Sequence, residues 1–129
     1  MAGHGVWVVT GASRGIGAAI ARLAVDAGHN VALIARGKSL LELAQSLGES
    51  AVGFQCDVAD SASVSETVDA IVARFGRVDV LVNNAGVHRG GKIHRLTDDA
   101  WHAVLQVNLT GAMNMTRAAV PHMSEGCAV

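Results

Sequence analysis

The amino-acid sequence predicts an α/β protein in which a doubly wound parallel sheet lies between two layers of helices. Three observations support this prediction. Four short β-type runs alternate with four segments of helical periodicity, which is typical of parallel strands joined by helical crossovers. The runs are largely apolar without alternation, as expected for strands buried on both faces. Half of the residues are hydrophobic, with two Phe and two Trp, so small aliphatic side chains must build the core.

Glycines delimit the first half of the pattern. The first strand is predicted at residues 6–9 and the second at 31–34. The helix between them is expected to end at Gly28, and a second helix over residues 40–47 is expected to end at Gly48, because glycine accepts the left-handed conformation of a helix C-cap. The apolar stripe predicted for the first helix consists of Ile16, Ile20, Leu23 and Ala24.

The second half repeats the alternation. A third strand is predicted at residues 51–54, followed by a helix with Ser61 as its N-cap and Gly76 as its C-cap. A fourth strand is predicted at residues 78–82. A long helix should begin near Asp98 and fade near residue 121.

The last four residues, Gly-Cys-Ala-Val, resemble the opening of a fifth strand. Without such a strand the fourth would be an exposed apolar edge, which proteins usually protect. The sequence therefore predicts one domain over residues 1–129, truncated after the fourth βα unit of a longer protein. The alternative is that these residues simply fray.

Composition excludes several classes of function. Ten basic and eleven acidic residues give a net charge of −1, so no nucleic-acid partner is expected. No apolar run is long enough for a membrane span, and the amino terminus lacks the pattern of a signal peptide. Cys56 and Cys127 read as reduced thiols of a cytoplasmic protein, and the histidines lack metal-ligand spacing. A small-molecule partner and no metal are expected.

A glycine-rich turn joins the first strand to the first helix. Residues 10–17 read Thr-Gly-Ala-Ser-Arg-Gly-Ile-Gly, with glycines at 11, 15 and 17. Glycine permits a sharp turn and a close approach of backbone N–H groups to a ligand, and the positive end of a helix dipole favours an anion. The strand before it and the helix after it give the context of a dinucleotide-binding, Rossmann-like fold. A turn without a ligand is the alternative reading.

The end of the second strand indicates which dinucleotide is bound. An acidic residue there would hold the adenosine ribose hydroxyls, but this position carries Arg36. Arg14, in the glycine-rich turn, is expected to approach the same group from the other side. Two guanidinium groups around a dianionic phosphate favour NADP(H) over NAD(H). The alternative is that Arg36 is a solvated residue at a strand end.

Three motifs together resemble the short-chain dehydrogenase/reductase family. They are the glycine motif, Asn-Asn-Ala-Gly at residues 83–86, and Asn108 within Val-Asn-Leu-Thr-Gly at residues 107–111. Their order and spacing both match, and the likeness runs from Val6 to the last residue. Within the family, the glycine motif and residues 83–110 are similar to those of 3-oxoacyl-[acyl-carrier-protein] reductases.

The resemblance implies a role for each matching residue. Asp57 and Val58 would contact the adenine, although a helix-capping role for Asp57 is almost as strongly indicated by the sequence. Asn108 would be the catalytic asparagine of a proton relay. The residues implied to bind the cofactor are Gly11, Ser13, Arg14, Gly15, Ile16, Gly17, Arg36, Asp57, Val58, Asn83, Ala85 and Gly86.

The chain departs from the family where the chemistry takes place. The family uses a Ser and a Tyr-x-x-x-Lys pair downstream of the asparagine, but these 129 residues contain no Tyr, and Lys38 and Lys92 are their only lysines. Ser124 cannot be assigned the role of that Ser. The resemblance implies hydride transfer between NADP(H) and a carbonyl or alcohol, yet this chain alone is predicted to be inactive. A non-catalytic dinucleotide-binding module is the alternative. The helix over residues 101–123 resembles the one with which the family forms homo-oligomers, but its apolar side chains would equally suit an intramolecular core.

Overall fold

A computed structural model describes residues 4–129, which alternate between strands and helices. The elements are β1 Val6–Thr10, α1 Gly15–Asp26, β2 Asn30–Ala35, α2 Ser39–Leu47, β3 Ala51–Gln55, α3 Ser61–Phe75, β4 Val80–Val82, α4 Asp98–Leu105 and α5 Gly111–Ala119. Between α4 and α5 the backbone forms a π-helical turn, Gln106–Thr110. Short 3₁₀ turns, Ile93–Arg95 and Val120–His122, precede α4 and follow α5.

The four strands are parallel and lie in the order β3-β2-β1-β4. In the central register Val8 of β1 lies between Ala32 of β2 and Leu81 of β4. The chain therefore moves outward from β1 to β3 and then returns to the other side of β1 with β4. Such a reversal leaves a crevice at the carboxyl ends of the two strands on either side of it.

Helices cover both faces of the sheet. Alternate strand residues such as Val9, Val31 and Leu33 pack against α1 and α2. Their neighbours Val8 and Ala32 face the opposite side, where α3 and α5 pack. The pleat of the strands thus divides the core into two apolar clusters, and the predicted three-layer, doubly wound α/β fold is confirmed.

The face that α1 buries differs from the predicted stripe. Ile16 and Leu23 are 74% and 69% exposed, so the prediction was wrong for these two residues. Ile20 is half-buried and Ala24 is buried. The fully buried positions of the helix are Gly17, Ala18, Ala21 and Ala24. Small side chains let the helix axis approach the sheet closely, and this requirement overrides the hydrophobicity on which the prediction was based.

Gly28, Gly48 and Gly76 stand at the ends of their helices as predicted, but Gly48, with φ 94° and ψ −167°, lies outside the left-handed helical region. Gly28 has a φ of 90°, and the bonds from Gly28 N to Val25 O (2.9 Å) and from His29 N to Ala24 O (3.0 Å) form a Schellman motif at the end of α1. Gly76 is left-handed, with φ 86°, and its N–H donates to Val72 O at 2.7 Å.

The N-cap of α3 is Asp60 and not the predicted Ser61. The Asp60 carboxylate accepts from Ala62 N at 3.1 Å and from Ser63 N at 3.2 Å, whereas Ser61 is the first helical residue. A carboxylate also interacts favourably with the positive end of the helix dipole. Both residue types are common caps, and this bonding pattern selects the aspartate.

Asp60→Ala is expected to lower the free energy of unfolding by about 1 kcal/mol, because two first-turn N–H groups lose their acceptor. Ser61→Ala is the matched control and should change it by less than about 0.5 kcal/mol. Urea denaturation of both variants measures the difference. A larger loss for Ser61→Ala than for Asp60→Ala would contradict the assignment.

The predicted long helix is continuous but not uniform. It begins at Asp98, where Thr97 Oγ1 accepts from Ala100 N at 3.1 Å, and runs through the π turn into α5. Trp101, Leu109 and Met113 are exposed, so these apolar residues do not belong to the core. The side chains of the helix that are buried in the described structure are Asn114, Met115 and Ala119.

The last residues return to the sheet. Ala128 forms an isolated parallel bridge with Val80, in which Leu81 N donates to Ala128 O at 2.9 Å and Ala128 N donates to Asp79 O at 3.0 Å. This contact has the direction expected of a fifth strand beside β4. Among the residues that the structure describes, no helix has both the length and the apolar character needed to cross a membrane.

Candidate functional site

An open cavity of about 760 Å³ lies at the carboxyl ends of the strands, at the reversal between β1 and β4. The segments that follow β1, β2, β3 and β4 all contribute to its walls. Parallel sheets place the ends of their strands along one edge, and a reversal in strand order keeps the loops at that edge apart. The fold therefore creates the cavity, and the loop residues determine its chemistry.

The structure brings most of the predicted cofactor residues together at this cavity. Gly17 and Asn83 are exceptions and do not line it. Gly17 lies behind the glycine-rich turn, and Asn83 Nδ2 donates to Thr116 Oγ1 of α5 at 3.2 Å. The predicted residues that line the cavity are Gly11, Ser13, Arg14, Gly15, Ile16, Arg36, Asp57, Val58, Ala85 and Gly86.

Two glycines permit the close packing behind the cavity. A Cβ on Gly17 would overlap the carbonyl oxygen of Gly11 and would lie 2.6 Å from Asn84 Nδ2. Gly11 has a φ of 62°, and a Cβ there would lie 2.9 Å from the Cα of Ala85. The turn after β1, the start of α1 and the loop after β4 can therefore meet only because these positions lack side chains.

The two helices whose amino ends border the cavity have no side-chain cap. Arg14 and Lys38 occupy the N-cap positions of α1 and α2, and neither accepts a hydrogen bond from the first turn. In contrast, side chains cap α3 and α4. The first N–H groups of a helix have no partner within it, so an anion at the cavity would supply the missing acceptors.

Arginine side chains add positive charge at the same place. Arg14 and Arg36 are exposed and line the cavity, and Ser39, the first residue of α2, lines it beside them. Within residues 4–129 the salt bridge of the structure joins Arg77 to Asp79 at 2.8 Å, away from the cavity, and involves neither of these arginines. Their charge is therefore available to an anionic ligand.

Thr10 and Asn84 hold the loops after β1 and β4 together. Thr10 Oγ1 accepts from Asn84 N at 3.0 Å and from Ala85 N at 2.9 Å. Asn84 Nδ2 donates back to the carbonyl oxygens of Thr10 and Gly11 at 3.1 and 3.2 Å. Thr10 belongs to the glycine motif and Asn84 to the Asn-Asn-Ala-Gly motif, but neither residue was predicted to belong to the site. The motif Asn-Asn-Ala-Gly does not reveal which asparagine turns toward the glycine-rich loop.

Asp57 lies at the end of β3 with part of its carboxylate free. Its Oδ1 accepts from Ala59 N at 3.0 Å within a tight turn. The hydrogen bonds that cap α3 go to Asp60, so the capping alternative for Asp57 is wrong. Its other carboxylate oxygen has no hydrogen-bond partner among the described residues and can accept from a ligand in the cavity.

Asn108 fixes the loop after β4 from the π turn of the long helix. Its Oδ1 accepts from Val87 N at 2.8 Å, and its Nδ2 donates to Val87 O at 3.0 Å. The pair lies beside Gly86, where a Cβ would be in van der Waals contact with Asn108 Oδ1 at 3.4 Å. The asparagine therefore acts on the backbone beside the cavity, while its side chain does not itself line the cavity.

Several other residues of the cavity wall were not predicted. Most of them lie within two positions of predicted ones and contribute backbone or apolar surface, for which no motif gives a signal. Ser124 is not among the lining residues. The additional lining residues are Ile34, Ala35, Gly37, Ser39, Cys56, Asn84, Val87 and Val107.

The parallel sheet, its two helical layers and the cavity at the strand reversal define a Rossmann-like α/β protein. The sequence profile of the short chain dehydrogenases matches residues 5–128. The chain belongs to the short-chain dehydrogenase/reductase family, as the motifs indicated.

Relatives and solved structures agree with this assignment. The chain is 46% identical over 119 residues to a Streptomyces virginiae protein named as a ketoacyl reductase of monensin polyketide synthase, covering 89% of this chain and 46% of that protein. It is 37% identical over 121 residues to the Staphylococcus aureus 3-oxoacyl-[acyl-carrier-protein] reductase FabG, covering 90% of this chain and 49% of the reductase. The chain thus spans about half the length of these relatives.

Two solved structures share the fold closely. An alcohol dehydrogenase of Thermococcus sibiricus, complexed with 5-hydroxy-NADP, superposes with a TM-score of 0.88 at 36% identity, over 92% of this chain and 53% of that one. A short chain dehydrogenase/reductase of Burkholderia phymatum, in complex with NAD, gives a TM-score of 0.90 at 32% identity, over 95% of this chain and 46% of that one. Proteins with this fold therefore bind either nicotinamide dinucleotide.

Proposed function

We propose that residues 1–129 form the nucleotide-binding domain of an NADP(H)-dependent reductase of the short-chain family. The observation that carries the proposal is the pair of uncapped helix amino ends at one cavity, together with Arg14 and Arg36. NADP(H) carries two separate anionic groups, the pyrophosphate and the 2′-phosphate. The cavity offers backbone donors at two helix ends and two guanidinium groups, which suits both groups.

The pyrophosphate is assigned to the amino end of α1, where Gly11 and Gly17 keep the backbone free of side chains. The 2′-phosphate is assigned to Arg14, Arg36 and the start of α2 at Ser39. The end of β2 carries Arg36 and not an acidic residue, whose carboxylate would repel the 2′-phosphate. Because proteins of this fold bind NADP or NAD, the arginines are the support for NADP(H).

The remaining predicted residues are assigned to the two ends of the cofactor. Asp57 and Val58 would contact the adenine, and the free carboxylate oxygen of Asp57 would accept from its exocyclic amine. The backbone of residues 83–86 would pass beneath the nicotinamide end. Asn108, which bonds to the backbone of Val87, would take part in the proton relay. The bound cofactor supplies a hydride to a carbonyl or takes one from an alcohol.

The substrate of the whole protein is proposed to be a 3-oxoacyl thioester. The support is that two relatives are named as ketoacyl and 3-oxoacyl-[acyl-carrier-protein] reductases. The exposed side chains of Trp101, Leu109 and Met113 along the long helix support a homo-oligomer through this surface. The cytoplasmic location predicted from the thiols stays a prediction; Cys56 and Cys127 are free in the described structure.

The 129-residue chain is expected to show no detectable turnover of a simple ketone with NADPH, because it has no tyrosine to donate the proton. The rate of NADPH oxidation in the presence of the ketone is measured as the loss of the absorbance of the reduced nicotinamide, at roughly 340 nm. Ketone-dependent oxidation above the rate without protein would show that another residue of this chain donates the proton.

The missing tyrosine also favours a second function, a dinucleotide-binding module without catalysis. The coding region downstream of Val129 distinguishes the two. An in-frame segment with Tyr-x-x-x-Lys is expected if the chain is part of a reductase. A stop codon, or a continuation without that segment, would contradict the reductase proposal and leave the binding module.

A further inference from the structure

The long helix contacts the cavity wall at two places through asparagine side chains. Asn108, in the π turn, bonds to the backbone of Val87 after β4. Asn114, in α5, donates from Nδ2 to Val58 O after β3 at 2.9 Å. Asn114 is 2% exposed, and this buried contact joins residues that are 56 positions apart.

Two neighbours of Asn114 fix the geometry of this bond. A Cβ on Gly111 would lie 2.5 Å from Val58 Cγ2, so α5 rests directly on Val58 and only glycine fits there. Arg117 Nη2 donates to Asn114 Oδ1 at 3.3 Å. This bond occupies the amide oxygen of Asn114 and leaves its NH₂ group directed at Val58 O.

The segment that receives this bond needs support from outside the sheet. It follows β3, an edge strand of the four-stranded sheet. The bond from Cys56 N to Ala35 O, at 3.0 Å, continues the pairing with β2 for one residue. The turn itself closes through Asp57, which accepts at its backbone from Asp60 N and at its side chain from Ala59 N. Among the described residues, the side-chain hydrogen bond that joins this segment to α5 is the one from Asn114 to Val58 O.

We propose that Asn114 is a positioning residue that holds Val58, and with it the Asp57 carboxylate, in the place required by the adenosine end of NADP(H). The inference rests on the proposed function and extends it to a residue outside the cavity. A buried carbonyl that loses such a donor moves toward another partner or water, because leaving it unsatisfied is costly. The adenine wall would move with it, whereas the glycine-rich turn at the end of β1, two strands away from β3, would not.

The test uses the full 129-residue chain and two substitutions of Asn114. Asn114→Leu keeps a similar volume but removes the donor, and Asn114→Asp keeps the shape but removes the donor. Both should weaken NADPH and 2′,5′-ADP by about tenfold, which corresponds to the loss of about 1.4 kcal/mol. Inorganic pyrophosphate, which lacks the adenosine, should displace NADPH with an inhibition constant that changes less than about twofold.

Controls separate positioning from general stability. Thr67→Val removes another buried polar side chain, on α3, which does not line the cavity, and should leave all three affinities unchanged. Arg117 is exposed, and Arg117→Met, which has no N–H donor in its side chain, should fold even where Asn114→Leu does not. Because it releases the amide oxygen of Asn114, it should weaken 2′,5′-ADP by about two- to threefold.

The outcomes distinguish this inference from the function on which it rests. If the parent chain binds no NADPH, the proposed function and the positioning role of Asn114 are both overturned. If the parent binds and the Asn114 and Arg117 variants bind 2′,5′-ADP as tightly, the positioning role is overturned and the proposed function stands. Equal weakening of pyrophosphate and 2′,5′-ADP would show a general structural role and would also overturn it.

Discussion

Gly17→Ala is expected to lower the free energy of unfolding by about 3 kcal/mol and to weaken NADPH binding by about 100-fold. The added methyl would overlap the carbonyl oxygen of Gly11 and lie 2.6 Å from Asn84 Nδ2. Backbone atoms cannot move aside as a flexible side chain can, so α1 must shift away from the turn and take its first N–H groups with it. Thermal denaturation and calorimetric titration measure the two effects.

Helix propensity alone predicts that Gly17→Ala raises the free energy of unfolding, which is the opposite effect. Alanine in place of glycine inside a helix stabilises by about 1 kcal/mol where space allows. Gly37→Ala is the control for a methyl group added near the site, because Gly37 lines the cavity and a Cβ there meets nothing within 4 Å. It should leave stability and binding nearly unchanged. A stabilised Gly17→Ala variant would contradict the close packing of the turn against α1.

Arg36→Asp is expected to remove the preference for NADPH. The variant loses charge-assisted hydrogen bonds to the 2′-phosphate and adds a carboxylate that repels it, so NADPH affinity should fall by roughly 10- to 100-fold. NADH affinity should hold or improve, because a carboxylate at this position can accept from the ribose hydroxyls. Parallel titrations with both cofactors measure the change in their ratio.

Arg22→Asp gives the same change of charge on the exposed surface of α1, outside the cavity lining. It should leave the ratio of the two affinities nearly unchanged. If Arg22→Asp and Arg36→Asp weaken NADPH equally, the effect is one of net charge and the assignment of Arg36 to the 2′-phosphate is wrong.

The sequence predicted the parts of the fold that depend on local chemistry. The strands were predictable because burial on both faces restricts their residues to apolar types. The helix ends were predictable because a left-handed backbone conformation favours glycine. Gly28 and Gly76 therefore appear at the helix ends where they were expected. Where two adjacent residues can do the same task, as Asp60 and Ser61 can, the sequence does not decide between them.

The features that could not be predicted depend on contacts between residues that are far apart in the sequence. The buried face of α1 is determined by how closely the helix approaches the sheet, which makes Ala21 more useful there than Leu23. The sequence of residues 106–110 has no pattern that predicts a π-helical turn. Asn84 and Asn114 act on backbone atoms more than 50 positions away, and no local pattern predicts such partners.

The walls of the cavity were predictable to the extent that a motif fixes their backbone. The glycine-rich turn and Arg36, which were predicted from the small residues and positive charge that phosphate binding would require, both line the cavity. The start of α2 was missed, since an absent cap leaves no residue to notice. The difference becomes visible only when the amino ends of α1 to α4 are compared, since side chains cap α3 and α4 but not α1 and α2.

Titration of the 129-residue chain with NADPH and with NADH measures whether the cavity binds a dinucleotide and which of the two it prefers. We expect one saturable site per chain for NADPH, with an affinity at least about tenfold higher than that for NADH, because one hydrogen bond to a charged group contributes about that difference. Absence of NADPH binding would contradict the assignment of the cavity to a dinucleotide. Equal affinity for both cofactors would contradict the role given to Arg14 and Arg36.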